Sequence, residues 1–172
     1  RRSPTRSCTS SGAGLRRVAF ADTVGVQVAI YDVATGQQLD RWGEDGTEGS
    51  DDPNALDFPA DLALMPDDRV LVDSGSGELR VFRLDGRYQR SMGRRQLDDV
   101  AAVAYGGGRA FGLESRTPQV EVFSAADGRH QRTLRAGLSR TVDLAASRDG
   151  DTLYVAGRLP SGEPGVTRFV RR

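Results

Sequence analysis

The sequence predicts an all-β protein in which one four-stranded antiparallel sheet recurs about four times, and three observations predict it. Residues 59–93, PADLALMPDDRVLVDSGSGELRVFRLDGRYQRSMG, hold four short β-type runs, each closed by a turn signal. The pattern returns after roughly 42 residues: DGRYQRSM at 85–92 matches DGRHQRTL at 127–134, with Gly86 and Gly128 42 residues apart. No stretch sustains a 3.6-residue apolar period, so no helix is expected.

In the clearest copy, the run 61–65 (DLALM) is closed by Pro66-Asp67-Asp68, and the run 69–73 (RVLVD) by the SGSG of 74–77. The third run, 78–84 (ELRVFRL), alternates apolar and charged residues and then meets Asp85-Gly86, a strong short-range hairpin signal. The fourth, 87–92 (RYQRSM), is polar almost throughout and stops at Gly93, as an outer strand facing water does. Upstream, 16–21, 26–31 and 37–42 repeat the second, third and fourth runs, with Tyr31 falling on Phe82, Gly36 on Gly86 and Gly43 on Gly93. This unit is expected to lack its first strand. Downstream, 100–105, 109–113, 119–123 and 129–134 make a third unit, and 142–145, 152–155 and 166–170 a last one without a fourth strand. The units thus run at about 15–43, 58–93, 98–135 and 138–172. Before them lies a tail, 1–14 (RRSPTRSCTSSGAG), whose polar, low-complexity composition reads as disordered or as a linker.

Composition narrows the chemistry. The 24 basic residues, all Arg, balance 24 Asp and Glu, so the total charge calls for neither nucleic acid nor an anionic membrane. No run of eighteen apolar residues is present, which excludes a helical membrane span of ordinary length. The single cysteine, Cys8, and the single histidine, His130, exclude an internal disulfide framework, a cysteine metal cluster and a histidine-rich zinc site within this segment. No Gly-x-Ser-x-Gly nucleophile stands in a strand-to-helix setting, and Ser74-Gly75-Ser76-Gly77 reads as a hairpin turn. No cofactor is called for.

A four-stranded unit of roughly 42 residues is the period of a β-propeller blade. One such sheet has two apolar faces and buries neither alone, so copies must stack radially, the first strand nearest the axis and the fourth at the rim. Residues 58–93 resemble the NHL repeat: a Phe-Pro start, Val72-Asp73-Ser74-Gly75 on the second strand, Val81-Phe82 on the third and Asp85-Gly86 before the fourth. The resemblance extends over about 15–170 and departs at Glu78, where such repeats commonly carry Arg. It implies an open arc of about four blades from a larger, six-bladed ring. Such an arc would expose an apolar face and an unpaired edge at each end, and be stabilised by further repeats. The resemblance is informative for fold and poorly specific for activity.

Antiparallel order gathers the turns between second and third strands, and the connections between units, at one end of the assembly. Irregular loops on a rigid scaffold are where binding residues concentrate. That face would carry Asp73, Glu114, Arg116, Arg158 and Glu163, with Asp73 also suited to hydrogen-bond its own turn. The leading reading is a non-catalytic module presenting these loops to a protein or peptide partner. The enzyme reading is part of a six-bladed, lactonase- or lyase-like propeller whose metal ligands lie mostly outside this segment. A third reading is single-stranded RNA binding through an Arg-rich rim, Arg87 and Arg90 echoed by Arg129 and Arg132, with Arg80, Arg83, Arg94 and Arg95 nearby. Arg on outer strands equally serves to keep an edge soluble. The acidic insert 44–57 offers Glu44, Asp45, Glu48, Asp51 and Asp52 to Ca²⁺, without the spacing of a known calcium loop.

Overall fold

The computed structural model describes residues 6–8, 17–45, 52–75, 77–94 and 96–171, and every regular element among them is a β-strand. Four antiparallel sheets follow one another along the chain. The first is β1 (Arg6–Cys8), β2 (Arg17–Asp22), β3 (Gln27–Asp32) and β4 (Gln38–Trp42), paired in that order. A short parallel ribbon, β5 (Glu44–Asp45) with β6 (Ala55–Leu56), leads to the second sheet, β7 (Leu62–Met65), β8 (Arg69–Asp73), β9 (Leu79–Arg83) and β10 (Tyr88–Met92). The third is β11 (Val100–Gly106), β12 (Arg109–Glu114), β13 (Gln119–Ser124) and β14 (His130–Arg135). The last, β15 (Arg140–Ala146), β16 (Thr152–Arg158) and β17 (Pro164–Val170), has three strands.

The turn residues act as their chemistry requires. Gly36, Gly86 and Gly128, matched by sequence, all sit at positive φ (68°, 82° and 75°), where a Cβ would be strained. Asp85 and Asp127 each accept a hydrogen bond from the backbone N–H two residues on, Arg87 and Arg129, both at 3.2 Å. One expectation is corrected: Arg6–Cys8, within the expected tail, pairs antiparallel with β2, Arg6 opposite Ala21 and Cys8 opposite Ala19. An open strand edge recruits backbone N–H and C=O groups whatever the side chains, so polar composition alone did not reveal this strand. Among the described residues, the sheets therefore hold four, four, four and three strands rather than three, four, four and three.

Three cores separate the four sheets. The first joins Ala19, Ala21, Val28 and Ile30 to Leu62, Val70, Val72 and Phe82; the second joins Leu71, Leu79, Val81 and Met92 to Val100, Val103, Ala110 and Phe123; the third joins Ala102, Phe111, Leu113, Val120 and Val122 to Leu144, Leu153 and Val155. A single contact recurs. The third-strand aromatic of each later sheet, Phe82, Phe123 or Phe169, packs back onto the sheet before it, whose fourth strand offers Trp42, Met92 or Leu134. Trp42 and Phe82 lie 4.8 Å apart between ring centroids, and Trp42 Nε1 donates to the Leu84 carbonyl at 2.9 Å. This radial stacking of four-stranded sheets is a β-propeller architecture.

Among the described residues, no further sheet covers either end of the stack. On the first sheet, Phe20 and Tyr31, edge to face at 5.5 Å, line a groove of about 800 Å³ with Val18 and Ala29. On the last, Val142, Tyr154, Val166 and Val170 are exposed. Phe82, fully buried in the first core, is the ring on which that interface closes. Phe82→Ala is expected to cost about 3–5 kcal/mol, measured by urea unfolding, whereas Val24→Ala, at a residue 81% exposed in a turn, should change stability little.

Candidate functional site

The second strands of the first three sheets end in a carboxylate: Asp22, Asp73 and Glu114. Asp22 Oδ1 accepts from the Val24 and Gly25 backbone N–H groups at 3.1 and 2.9 Å, and its Oδ2 from Gln27 Nε2 at 3.1 Å. Those bonds, led by the one from Gly25, hold its carboxyl below the usual range. Asp73 makes the same turn bond, Oδ1 accepting from the Gly75 N–H at 3.0 Å, but is only 2% exposed. Burial pushes its carboxyl up to about 7, against the bonds from Gly75 and Ala60 and with the help of the like charges on Asp61 and Asp99.

Asp73 thus stands inside the structure, holding a connection in place. The Asp57 N–H donates to the Ser74 carbonyl at 2.8 Å, Ser74 Oγ donates to the Glu78 carbonyl at 2.9 Å, and the Asp73 N–H donates to the Asp61 carbonyl at 3.0 Å. Gly75, at φ 74°, lies so close to Asp57 that any Cβ there would run into the Asp57 carbonyl. Asp61, itself buried, reaches across to the third sheet, its Oδ2 accepting from the Val103 N–H at 2.8 Å.

Glu114 does the same work one sheet on. Its two oxygens accept from the Asp98 and Asp99 N–H groups at 3.1 and 3.4 Å, and its carbonyl accepts from Thr141 Oγ1 at 2.9 Å. Burial is the first cause that raises its carboxyl above the usual range. On this buried support sits an exposed cluster. Arg116 lies 3.7 Å from Asp98 and 3.6 Å from Asp99, while Ser115 Oγ donates to Asp99 Oδ2 at 2.5 Å. Arg158 and Glu163 flank the β16–β17 turn. Arg158 Nη1 donates to the Gly162 carbonyl at 2.7 Å, and Ser161 Oγ to Glu163 Oε2 at 3.3 Å.

Of the five residues singled out by sequence, then, Asp73 and Glu114 are buried and Arg116, Arg158 and Glu163 are exposed. Asp61, Asp98, Asp99 and Thr141 were not singled out; the Asp98-Asp99 pair before an inner strand was the available signal, and nothing marked the reach from Asp61 to Val103.

The Arg-rich stretch divides. Arg80 is buried, not at the rim: its Nε donates to Glu78 Oε1 at 2.6 Å, and its Nη1 to the carbonyls of Asp52, Pro53 and Ala55. It fastens the end of the acidic insert to the second sheet. Arg87 and Arg129 are exposed, each beside the Asp of its own hairpin, Asp85 at 3.2 Å and Asp127 at 3.6 Å. Arg90 is half-buried and Arg132 exposed, and Arg95 lies outside the described residues. His130 Nε2 and Thr133 Oγ1 both meet the buried Glu121 Oε2, at 2.6 and 2.7 Å. Within the insert, Asp52 Oδ1 accepts from the Asn54 N–H at 2.9 Å; Glu48 and Asp51 lie outside the described residues. Among the described residues no three His, Cys, Asp or Glu side chains are grouped to hold a metal ion.

No family model matches the chain, and no curated protein matches it. Among solved structures it is similar to Kuenenia stuttgartiensis hydrazine synthase, with a TM-score of 0.71 and 15% identity over 90% of this chain and 43% of that one. The chain spans less than half the length of that neighbour, and at this identity the likeness is one of fold alone.

The raised Asp73 carboxyl fixes the sign of a pH dependence. Between the ordinary value of 3.8 and about 7 the folded protein keeps a proton that the unfolded chain has lost, so stability falls as pH rises through that window. Asp73→Asn should remove this component, on the order of a few kcal/mol, and flatten the melting temperature between pH 4 and pH 7 relative to the parent. Parallel pH profiles for the two proteins would disprove the assignment.

Proposed function

We propose that this chain is a non-catalytic binding or scaffold module, an NHL-like propeller segment that presents its connection face to a protein or peptide partner. One observation carries the reading. The exposed Asp98, Asp99 and Arg116 cluster stands on backbone held by the buried carboxylate of Glu114, which accepts from the Asp98 and Asp99 N–H groups. Polar side chains mounted on a backbone already fixed lose little further freedom on binding, which favours recognition over mere solubility. The NHL assignment rests on the matched hairpin glycines, the second-strand Val72-Asp73-Ser74-Gly75 and the recurring third-strand aromatic.

RNA binding through the rim draws less support. Arg87 and Arg129 project outward with 78% and 86% of their side chains exposed, yet each already has a carboxylate beside it. A phosphate would have to compete with that partner.

Two outcomes test these readings. Arg116→Glu and Arg158→Glu, both at exposed side chains, should each lower affinity for a protein partner by up to about fivefold, with melting temperature unchanged. Equal losses from Asp85→Arg and Asp127→Arg, at the hairpins of the opposite end, would remove the connection face as the site. Asp73→Arg, by contrast, should unfold the protein, because it places an unpaired charge at a buried position. For RNA, replacing Arg87, Arg90, Arg129 and Arg132 should flatten the salt dependence of binding to mixed single-stranded RNA; no binding at low salt retires the idea.

A further inference from the structure

Arg80 has more donors than the insert and Glu78 use. A guanidinium carries its N–H groups on three nitrogens. The Arg80 Nε–H goes to Glu78 Oε1, and Nη1 goes to the carbonyls of Asp52, Pro53 and Ala55. Among the described residues nothing accepts from Nη2, although the side chain is only 7% exposed. A buried donor left unspent costs stability, so Nη2 calls for an acceptor. Fastening the insert accounts for Nη1 and not for Nη2.

A cavity of about 380 Å³, large enough for a small molecule, lies against Arg80. Its lining residues all fall between 53 and 94, in β9 and β10 and the connections on either side of the second sheet. Ser91 stands directly opposite Arg80 across the two strands, so their side chains share one face. Tyr88 Oη donates to Ser91 Oγ at 3.1 Å, which leaves the Ser91 O–H to donate into the cavity. Arg94, exposed, adds a second guanidinium to the wall. Glu78 is the one carboxylate among the described lining residues, so the side chains there sum to a single positive charge. Met92 and the Tyr88 ring supply an apolar flank. Donors without acceptors, one excess positive charge and an apolar flank together fit a carboxylate carried on a small apolar body.

We propose that this cavity is a binding site for a carboxylate ligand. Arg80 Nη2 and Ser91 Oγ donate to its two oxygens, Arg94 supplies charge at the exposed side, and Tyr88 and Met92 pack against its apolar part. The site shares no residue with the Asp98, Asp99 and Arg116 cluster, and it stands whether or not a protein partner binds there.

Benzoate is the probe, with benzamide as its uncharged counterpart. Titrated into the full 172-residue chain at pH 7, benzoate should bind saturably and shift the amide resonances of Arg80, Tyr88, Ser91 and Arg94. Benzamide should bind at least about tenfold more weakly, because charge-assisted hydrogen bonds are the stronger kind. Ser91→Ala and Arg94→Gln should each weaken benzoate about three- to tenfold with melting temperature nearly unchanged. Arg80→Ala would also release the insert, so these two milder variants carry the test. A peptide blocked at both ends and bearing one central Glu separates the sources of the carboxylate. Tighter binding than benzoate places it on a partner chain, weaker binding places it on a free small molecule, and both results support the site. Absence of saturable binding of benzoate and peptide by the folded chain overturns the proposal. So do equal binding of benzamide, resonance shifts confined to other sheets, or an affinity indifferent to both variants.

Discussion

The fold depends on one contact made three times: a third-strand ring seated on the outer part of the sheet before it. A four-stranded sheet with side chains alternating between two apolar faces has no stable place alone in water. Phe82, Phe123 and Phe169 point to the preceding sheet, while Leu79 and Val120, three residues earlier, point to the following one. Each sheet is therefore both knob and socket. The 42 residues between Gly86 and Gly128 are the length of chain needed to build one such piece and return, and the acidic insert lengthens the interval from Gly36 to Gly86.

Buried polar groups set the arrangement at the connection end. Asp61 ties the second sheet to the third by accepting from the Val103 N–H, and Glu114 fixes the connection that leads into its own sheet by accepting from the Asp98 and Asp99 N–H groups. Asp22 and Asp73 show how much environment decides. Both end a second strand and both accept the N–H groups of their own turn, yet burial drives one carboxyl up while hydrogen bonds hold the other down. Arg80 acts in the same way: its guanidinium is held by Glu78 and by carbonyls of the insert, so that the acidic stretch ends in fixed backbone at residues 52–56.

The strands and their turns were legible in sequence because their signals are local. Alternating runs closed by Gly at positive φ carry most of the information, and the strand ends agree within a residue or two except in β16, which runs three residues past the expected 155 to Arg158. What escaped was whatever depended on a neighbour. Glu78-Leu79-Arg80-Val81 reads as a strand with a solvated charged face, but residues 52–55 cover that face, and the alternation holds no trace of the cover. Asp73 was legible as a turn residue and illegible as a buried one, since its exposure is set by the connection crossing over it at Asp57. Arg6–Cys8 escaped because pairing to an open edge is a property of backbone, not of side-chain pattern.

The backward aim of the third-strand rings gives the stack a direction in time. As the chain emerges from the ribosome, Trp42 must wait for Phe82, Met92 for Phe123 and Leu134 for Phe169. Each sheet closes the face left open by the one made before it and opens another. Besides the Phe20 and Tyr31 face of the first sheet, the nascent chain consequently carries an unburied apolar face on the most recently completed sheet at every stage of synthesis, and that moving face is where a chaperone would bind or a neighbouring chain would intrude.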